Sequence, residues 1–256
     1  MLTVVGTGIR CGADLAGNVR SALLDADDVF FLASDPIWDG CLRQLRPDAH
    51  SVADLYRDDR PRRDTYEEMV GLVLGALRAG RSVCFAIPGH PGVFAQPTHA
   101  AIRRARAEGF SASMLPALSA ADHLYADLGI DPGEAGSANF DATDFLVQGR
   151  IPDPTISLIL WQIGAIGEVR NVRFVNRSGL AFLAETLLET FSAAHEVVVY
   201  EAARSVICDS IVLPMRLDAL AGADVPLRAT LYVPPATVAP LDPDRMRRLG
   251  VSPIPV

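Results

Sequence analysis

Apolar residues come in short blocks along this chain, separated by turn residues and by stretches with a period near 3.6. The blocks at 2–5, 29–32, 83–87 and 111–115 are apolar or nearly so over four or five residues, as expected of strands covered on both faces. A shorter block at 51–55 reads as one more strand, and Asp35-Pro36 closes the strand before it. Between the blocks, 15–25, 38–45 and 97–107 carry helical spacing. So does a stretch capped by Asp64 or Thr65, with Glu67 and Glu68 near its start, that ends at Gly80. Strands alternating with helices over short links predict a mainly parallel, doubly wound sheet up to about residue 115.

The pattern then changes. Residues 116–119 read as a linker, and the helix at 120–128 is broken by Asp131-Pro132-Gly133. Beyond it strands are expected at 145–147, 156–162, 197–201, 209–214 and 230–233, with one helix at 180–191. The fold class is therefore α/β, with a parallel N-terminal sheet in 1–115 and a mixed sheet in a second α/β domain, 116–235. A proline-rich extension, 236–256, carries a short helix at 243–249 that can reach a neighbouring subunit.

The strand at 83–87 runs into Pro88-Gly89-His90-Pro91-Gly92 and then a helix. Open α/β sheets present ligand sites where strands end in this way, and two glycines between prolines make a turn both approachable and stiff. The first strand likewise ends in Gly6-Thr7-Gly8. No third glycine follows at the dinucleotide spacing, because Gly12 comes late, so this is a weak nucleotide signal.

Composition narrows the function classes. Half of the 256 residues are hydrophobic, yet no apolar run nears the roughly 18–20 residues of a membrane span. The amino terminus reads as a strand rather than a signal peptide, so a soluble, cytoplasmic protein without membrane association is expected. The net charge of −8 argues against nucleic acid as a partner. Cys11, Cys41, Cys84 and Cys208 form no CxxC pair, which predicts buried free thiols and neither zinc nor a disulfide framework. All 23 basic residues are arginine, so lysine chemistry is excluded. Arg57, Arg60, Arg62 and Arg63 make a basic cluster in which Asp58, Asp59 and Asp64 interleave; ion pairing there is expected rather than a metal. His99, His123 and His195 are scattered and read as structural.

Taken together, Val5-Gly6-Thr7-Gly8, Gly89 to Phe94, Pro116-Ala117-Leu118-Ser119-Ala120 and Thr230-Leu231-Tyr232-Val233-Pro234-Pro235 resemble the tetrapyrrole-methylase superfamily. Within it, Arg62-Arg63-Asp64-Thr65-Tyr66, His90 in the turn and Tyr125 to Pro132 resemble the borosin peptide backbone α-N-methyltransferases. The likeness runs from residue 2 to about 250. It implies two domains with S-adenosylmethionine (SAM) in the cleft between them, S-adenosylhomocysteine (SAH) as product, and methylation of backbone amides of a ribosomally made precursor peptide. The absence of a long tail after Pro235 favours the split form acting on a separate precursor, and the resemblance implies a homodimer, a heterotetramer with two precursors. Alternatives are methylation of a small tetrapyrrole-type molecule, or a peptide-binding homologue without turnover.

The resemblance also assigns roles. Arg62 and Tyr66 match the catalytic arginine and tyrosine, and Tyr56 a further tyrosine. Cofactor contacts are implied for Gly89, His90, Val93, Phe94, Ser119, Ala120, Gln162, Ala202, Ala203 and Thr230, and no metal is called for. The chemistry suits this set. An amide nitrogen is a poor nucleophile because its lone pair is delocalised, so a site must stabilise charge on the oxygen and receive the N–H proton. If the helix has begun by Arg62, the four-residue spacing puts Arg62 and Tyr66 on one face, and nearby arginines would depress the tyrosine pKa. Two departures from the family pattern stand out: Pro88 replaces the usual tyrosine, and the Tyr56–Arg62 loop is short.

Overall fold

Two five-stranded sheets organise the chain in a computed structural model that describes residues 1–33, 35–57, 60–168, 170 and 174–252. The first lobe runs β1 (Leu2–Gly6), α1 (Gly17–Asp25), β2 (Asp28–Phe31), α2 (Pro36–Leu45), β3 (His50–Ser51), α3 (Arg62–Arg78), β4 (Val83–Ile87), α4 (Gln96–Ala107) and β5 (Ala112–Leu115). Its strands are ordered β3-β2-β4-β1-β5, and every pairing is parallel. Side chains alternate across β1 and β4. Val4 and Phe85 face Met69, Val73 and Leu77 of α3 and Ala101 of α4, whereas Val5, Cys84 and Ala86 face Val19 and Leu23 of α1 and Trp38 of α2. With helices on both faces, these strands are buried throughout, which is why they read as continuous apolar runs.

The second lobe follows as α5 (Ala120–Leu128), α6 (Pro132–Ala135), β6 (Ser137–Asp141), α7 (Ala142–Val147), β7 (Ser157–Trp161), α8 (Arg177–Leu188), β8 (Glu196–Glu201), β9 (Ile211–Arg216) and β10 (Thr230–Val233), with α9 (Pro243–Leu249) beyond. Its order is β6-β7-β10-β8-β9; β6 runs parallel to β7 and the other neighbours are antiparallel, so the sheet is mixed as expected. Leu180, Leu183 and Leu187 of α8 fill one face. Leu124 of α5 meets Ile159, Trp161, Tyr200 and Tyr232 on the other, with Ile9 of the first lobe packed beside them.

Four local expectations are corrected. Residues 145–147 belong to α7, not a strand: the Asp141 carboxylate accepts from Thr143 N and Asp144 N and starts a helix. The strand at that edge is the polar β6, which has no apolar alternation to announce it. Only His50–Ser51 pairs with β2, and Ala53–Leu55 coils into a 3₁₀ turn. Asp35 opens α2 as its cap, with Pro36 in the first helical turn. Helix α3 starts at Arg62 without a side-chain cap, so Asp64 and Thr65 lie inside it.

The cysteine expectation also changes. Cys11 and Cys41 are paired as a disulfide between the turn after β1 and α2, a juxtaposition that their distance in sequence conceals. Cys84 is the buried free thiol foreseen, its pKa pushed up to about 12 by burial, whereas Cys208 is free but exposed. No helix among the described residues is long and apolar enough to cross a membrane.

Where β1 ends, three segments converge. A Cβ on Gly6 would meet Gly89 O at 2.2 Å, Pro91 Cδ at 2.6 Å and the Ala117 Cβ at 2.8 Å. Two of these neighbours are rigid backbone or ring, so Gly6→Ala should cost about 1–3 kcal/mol or more, lowering the thermal midpoint by roughly 2–10 °C. Differential scanning calorimetry checks this; an unchanged midpoint would mean the three segments part easily.

Candidate active site

The connections leaving β1 and β4 run to opposite sides of the first sheet, so the carboxyl ends of these neighbours frame a crevice. Gly89 N donates to Gly8 O at 2.8 Å and Thr7 N to Ile87 O at 2.9 Å, tying the two turns together. Gly8 and Gly89 have φ of 77° and 67°, a region that favours glycine. His90 serves the turn itself, its Nδ1 accepting from Gly92 N at 3.0 Å. Thr98 closes the loop by donating to Pro91 O at 2.5 Å.

Above these turns lies a cavity of about 620 Å³ between the lobes. Tyr56, Arg62 and Tyr66 line it, as do Phe94, Ala120, Gln162, Ala202 and Thr230 among the residues expected to hold a cofactor. Gly89, His90, Val93, Ser119 and Ala203 are not in its lining, although each adjoins a residue or turn that is. All five have polar groups engaged: besides Gly89 N and His90 Nδ1 in the turn, Val93 N donates to His90 O at 3.1 Å, Ser119 Oγ to Asp122 at 2.7 Å and Ala203 N to Ser210 Oγ at 3.0 Å. Pro88 also faces the cavity.

The structure meets the condition set by the sequence for Arg62 and Tyr66: α3 has begun, and the two share one face at its first turns. The Tyr66 ring meets Tyr56 edge to face, centroids 6.3 Å apart at 85°. Burial pushes the Tyr56 phenol well above its ordinary value, Tyr66 beside it adds to the rise by charge and by hydrogen bonding, and Arg62 opposes it. That phenol therefore stays protonated at neutral pH. Asp58 and Asp59 lie outside the described residues, and among those described no cluster of potential metal ligands occurs.

Several lining residues escaped the sequence reading. Trp161 closes one wall and meets Phe94 across the cleft at 6.0 Å. Phe94 and Gln162 both have left-handed φ, 50° and 60°, unusual for non-glycine residues and characteristic of functional sites. Glu201 and Arg204 flank the foreseen Ala202-Ala203, their charges 3.8 Å apart, and Arg228 contributes from the loop before β10. Proximity to motif residues was the only sequence signal for Glu201 and Arg204; Arg228 had none.

The lobes are clasped beside the cavity. Cys11 N donates to Arg204 O at 3.0 Å, and Pro61 forms a backbone bridge with Arg170 of the second lobe. Asp14, buried, accepts from Ile9 N, Arg10 N and Arg10 Nε and meets His123 Nε2 of α5 at 2.7 Å. On α5, Asp127 accepts from Tyr200 and Ser210 at 2.8 and 2.5 Å.

Comparison with known proteins agrees with this architecture. The family model described as Tetrapyrrole (Corrin/Porphyrin) Methylases matches residues 1–206. The chain is 35% identical over 256 residues to a methyltransferase/ribosomally synthesized type III borosin cyclic peptide precursor of Anomoporia bombycina, covering 98% of this chain and 30% of the relative. It is 34% identical over 263 residues to a type I borosin methyltransferase/precursor of Mycena rosella, covering 98% and 64%. The chain thus spans less than two thirds of these relatives' length. Among solved structures, uroporphyrin-III C-methyltransferase of Thermus thermophilus complexed with S-adenosylhomocysteine superposes with a TM-score of 0.64 at 19% identity, over 91% of this chain and 96% of that one. At that identity the likeness is one of fold.

Burial alone would raise the Asp14 carboxyl, but hydrogen bonds from the Arg10 backbone and from His123, with the His123 charge and the Ile9 N–H, hold it below the ordinary value. A depressed folded pKa stabilises above the unfolded value near pH 4 and loses that contribution as pH falls through the folded pKa. Asp14→Asn should therefore cost about 1.5–3 kcal/mol at neutral pH, with the gap to wild type closing below about pH 4. Urea unfolding across pH reads both; a gap that widens in acid would contradict the sign.

Proposed function

Because the chain belongs to the tetrapyrrole (corrin/porphyrin) methylase family, we propose that it is a SAM-dependent methyltransferase acting on backbone amide nitrogens of a ribosomally made peptide. One observation carries the reading: Tyr56, Arg62 and Tyr66 open onto the same cavity as Phe94, Ala120, Gln162, Ala202 and Thr230. The relatives whose names join a methyltransferase to a borosin cyclic peptide precursor support the substrate class. We take the peptide to be supplied by a separate molecule and the protein to be a homodimer bearing two precursors; light scattering with and without peptide tests that stoichiometry.

The cavity fits the cofactor. Its volume lies within the roughly 300–1,000 Å³ of small-molecule sites, and its walls are mainly apolar. Phe94, Ala120, Trp161, Gln162, Ala202 and Thr230 would hold it, with Glu201 as the carboxylate on that wall. Bound there, SAM supplies an electrophilic methyl group.

The chain's own residues do the rest. Arg62 donates to the peptide carbonyl oxygen and stabilises the charge that gathers there as the nitrogen lone pair is freed. In this reading the Tyr66 oxygen, its own proton passed to solvent, takes the amide N–H proton, with the protonated Tyr56 phenol beside it. Phe94 and Trp161 add aromatic surface to the walls of the cleft.

The test is intact-mass analysis of a precursor peptide encoded beside this protein, incubated with the protein and SAM. Stepwise gain of methylene masses, localised by fragmentation to backbone nitrogens, is expected. Arg62→Ala and Tyr66→Phe should each lower turnover by about 10²-fold or more while SAH affinity by calorimetry is kept. Wild-type-like turnover in both would remove the assigned roles.

A further inference from the structure

The proposed chemistry needs Tyr56 and Tyr66 held against each other, yet they sit on separate segments joined by a loop. We propose that Arg60 and Thr65, which do not line the cavity, are positioning residues for this tyrosine pair, acting through the carbonyl oxygen of Leu55. Arg60 Nη2 donates to Leu55 O at 2.6 Å, and Thr65 Oγ1 donates to the same oxygen at 3.3 Å. Leu55 ends the 3₁₀ turn immediately before Tyr56, and Thr65 immediately precedes Tyr66. Two donors thus converge on the peptide that carries one tyrosine, and one of them is the helical neighbour of the other.

The direction of the threonine bond is informative. A threonine inside a helix commonly bonds back to a carbonyl of its own preceding turn. Thr65 instead reaches ten residues back, out of α3, although it is only 1% exposed and valine would fill the same volume. Arg60 works similarly from the loop: its other arm, Nη1, meets Glu68 Oε2 of α3 at 2.7 Å, so the guanidinium staples the 3₁₀ turn to the helix. Loops of this kind are mobile unless tied. These ties keep the half-buried Tyr56 ring edge-on against Tyr66.

The meaning of the pair for catalysis rests on the methyl-transfer reading; the clamp itself does not, and it can be tested without peptide. In protein labelled with ¹³Cζ-tyrosine, the Tyr56 resonance is assigned by its loss in Tyr56→Phe. Wild-type Tyr56 should remain un-ionised beyond the pH of about 10 at which a free phenol titrates. In Thr65→Val and Arg60→Gln its resonance should move and its midpoint fall by about one pH unit or more as the ring gains water, while Thr65→Ser restores wild-type behaviour. SAH affinity should stay within about twofold. A merely structural role would lower the melting temperature without moving Tyr56, so an unchanged Tyr56 resonance and midpoint in both variants would overturn the clamp. So would a Thr65→Ser variant as perturbed as Thr65→Val. A loosened pair with undiminished peptide turnover would leave the clamp standing and remove the catalytic role of the tyrosines, so the two readings fail separately.

Discussion

A backbone hydrogen bond between two turns, Gly89 N to Gly8 O, fixes the floor on which the rest of the cleft is built. It holds the ends of β1 and β4 so close that Gly6 has no room for a side chain. Neither turn is suited to this by its strand alone. Each needs a glycine with positive φ, and the second is stiffened by flanking prolines and by the His90 and Thr98 hydrogen bonds. Because β4 is central in the sheet and β1 is its neighbour, an error at this joint would displace α3, and with it Arg62 and Tyr66, relative to the second lobe.

The second lobe is held by a different kind of force. The turn after β1 reaches across and becomes part of it: Ile9 packs into the cluster around Trp161 and Tyr200, Cys11 pairs with the backbone of Arg204 and Ser205, and Asp14 meets His123. Ile9 makes an apolar contact, whereas Asp14 is a buried carboxylate with its hydrogen bonds made. A buried carboxylate with four partners is costly to disturb, since losing one partner leaves a desolvated charge unpaired. The lobes also meet at the Pro61–Arg170 bridge.

How much of this the sequence discloses follows from where the information lies. The parallel sheet was legible because its inner strands β2, β4 and β1 are largely buried and read as near-continuous apolar runs. The edge strand β6, Ser137–Asp141, was not, since a half-covered polar strand looks like loop until β7 lies beside it. Phe145 to Val147 misled because three apolar residues carry no period, and the Asp141 cap outweighed their β propensity. In the site, Arg62 and Tyr66 were singled out by the family resemblance, with helical spacing adding only that they share a face, and the turn by its glycines. Trp161, Glu201, Arg204 and Arg228 were not, because only tertiary packing brings their positions to the mouth of the first sheet. The Cys11–Cys41 pairing was hidden for the same reason.

Arg62 itself shows how the fold and the proposed function bear on each other. It occupies the first position of a seventeen-residue helix, where the macrodipole is positive and a cation is disfavoured by about 0.3–1 kcal/mol. Nothing in local propensity recommends an arginine there, and α3 has no side-chain cap to compensate. A local choice that conflicts with stability, placed at the wall of a cavity, is the kind of inconsistency expected where function selects the residue. At that position the guanidinium and the exposed N–H groups of the first turn add their positive potential in one direction. Under the proposed chemistry this is where charge gathers on an amide oxygen, and the conflict in the free protein becomes stabilisation in the transition state. The neutral, half-buried Tyr56 fits the same logic: it stands against Tyr66 without adding negative charge that would cancel the field of Arg62.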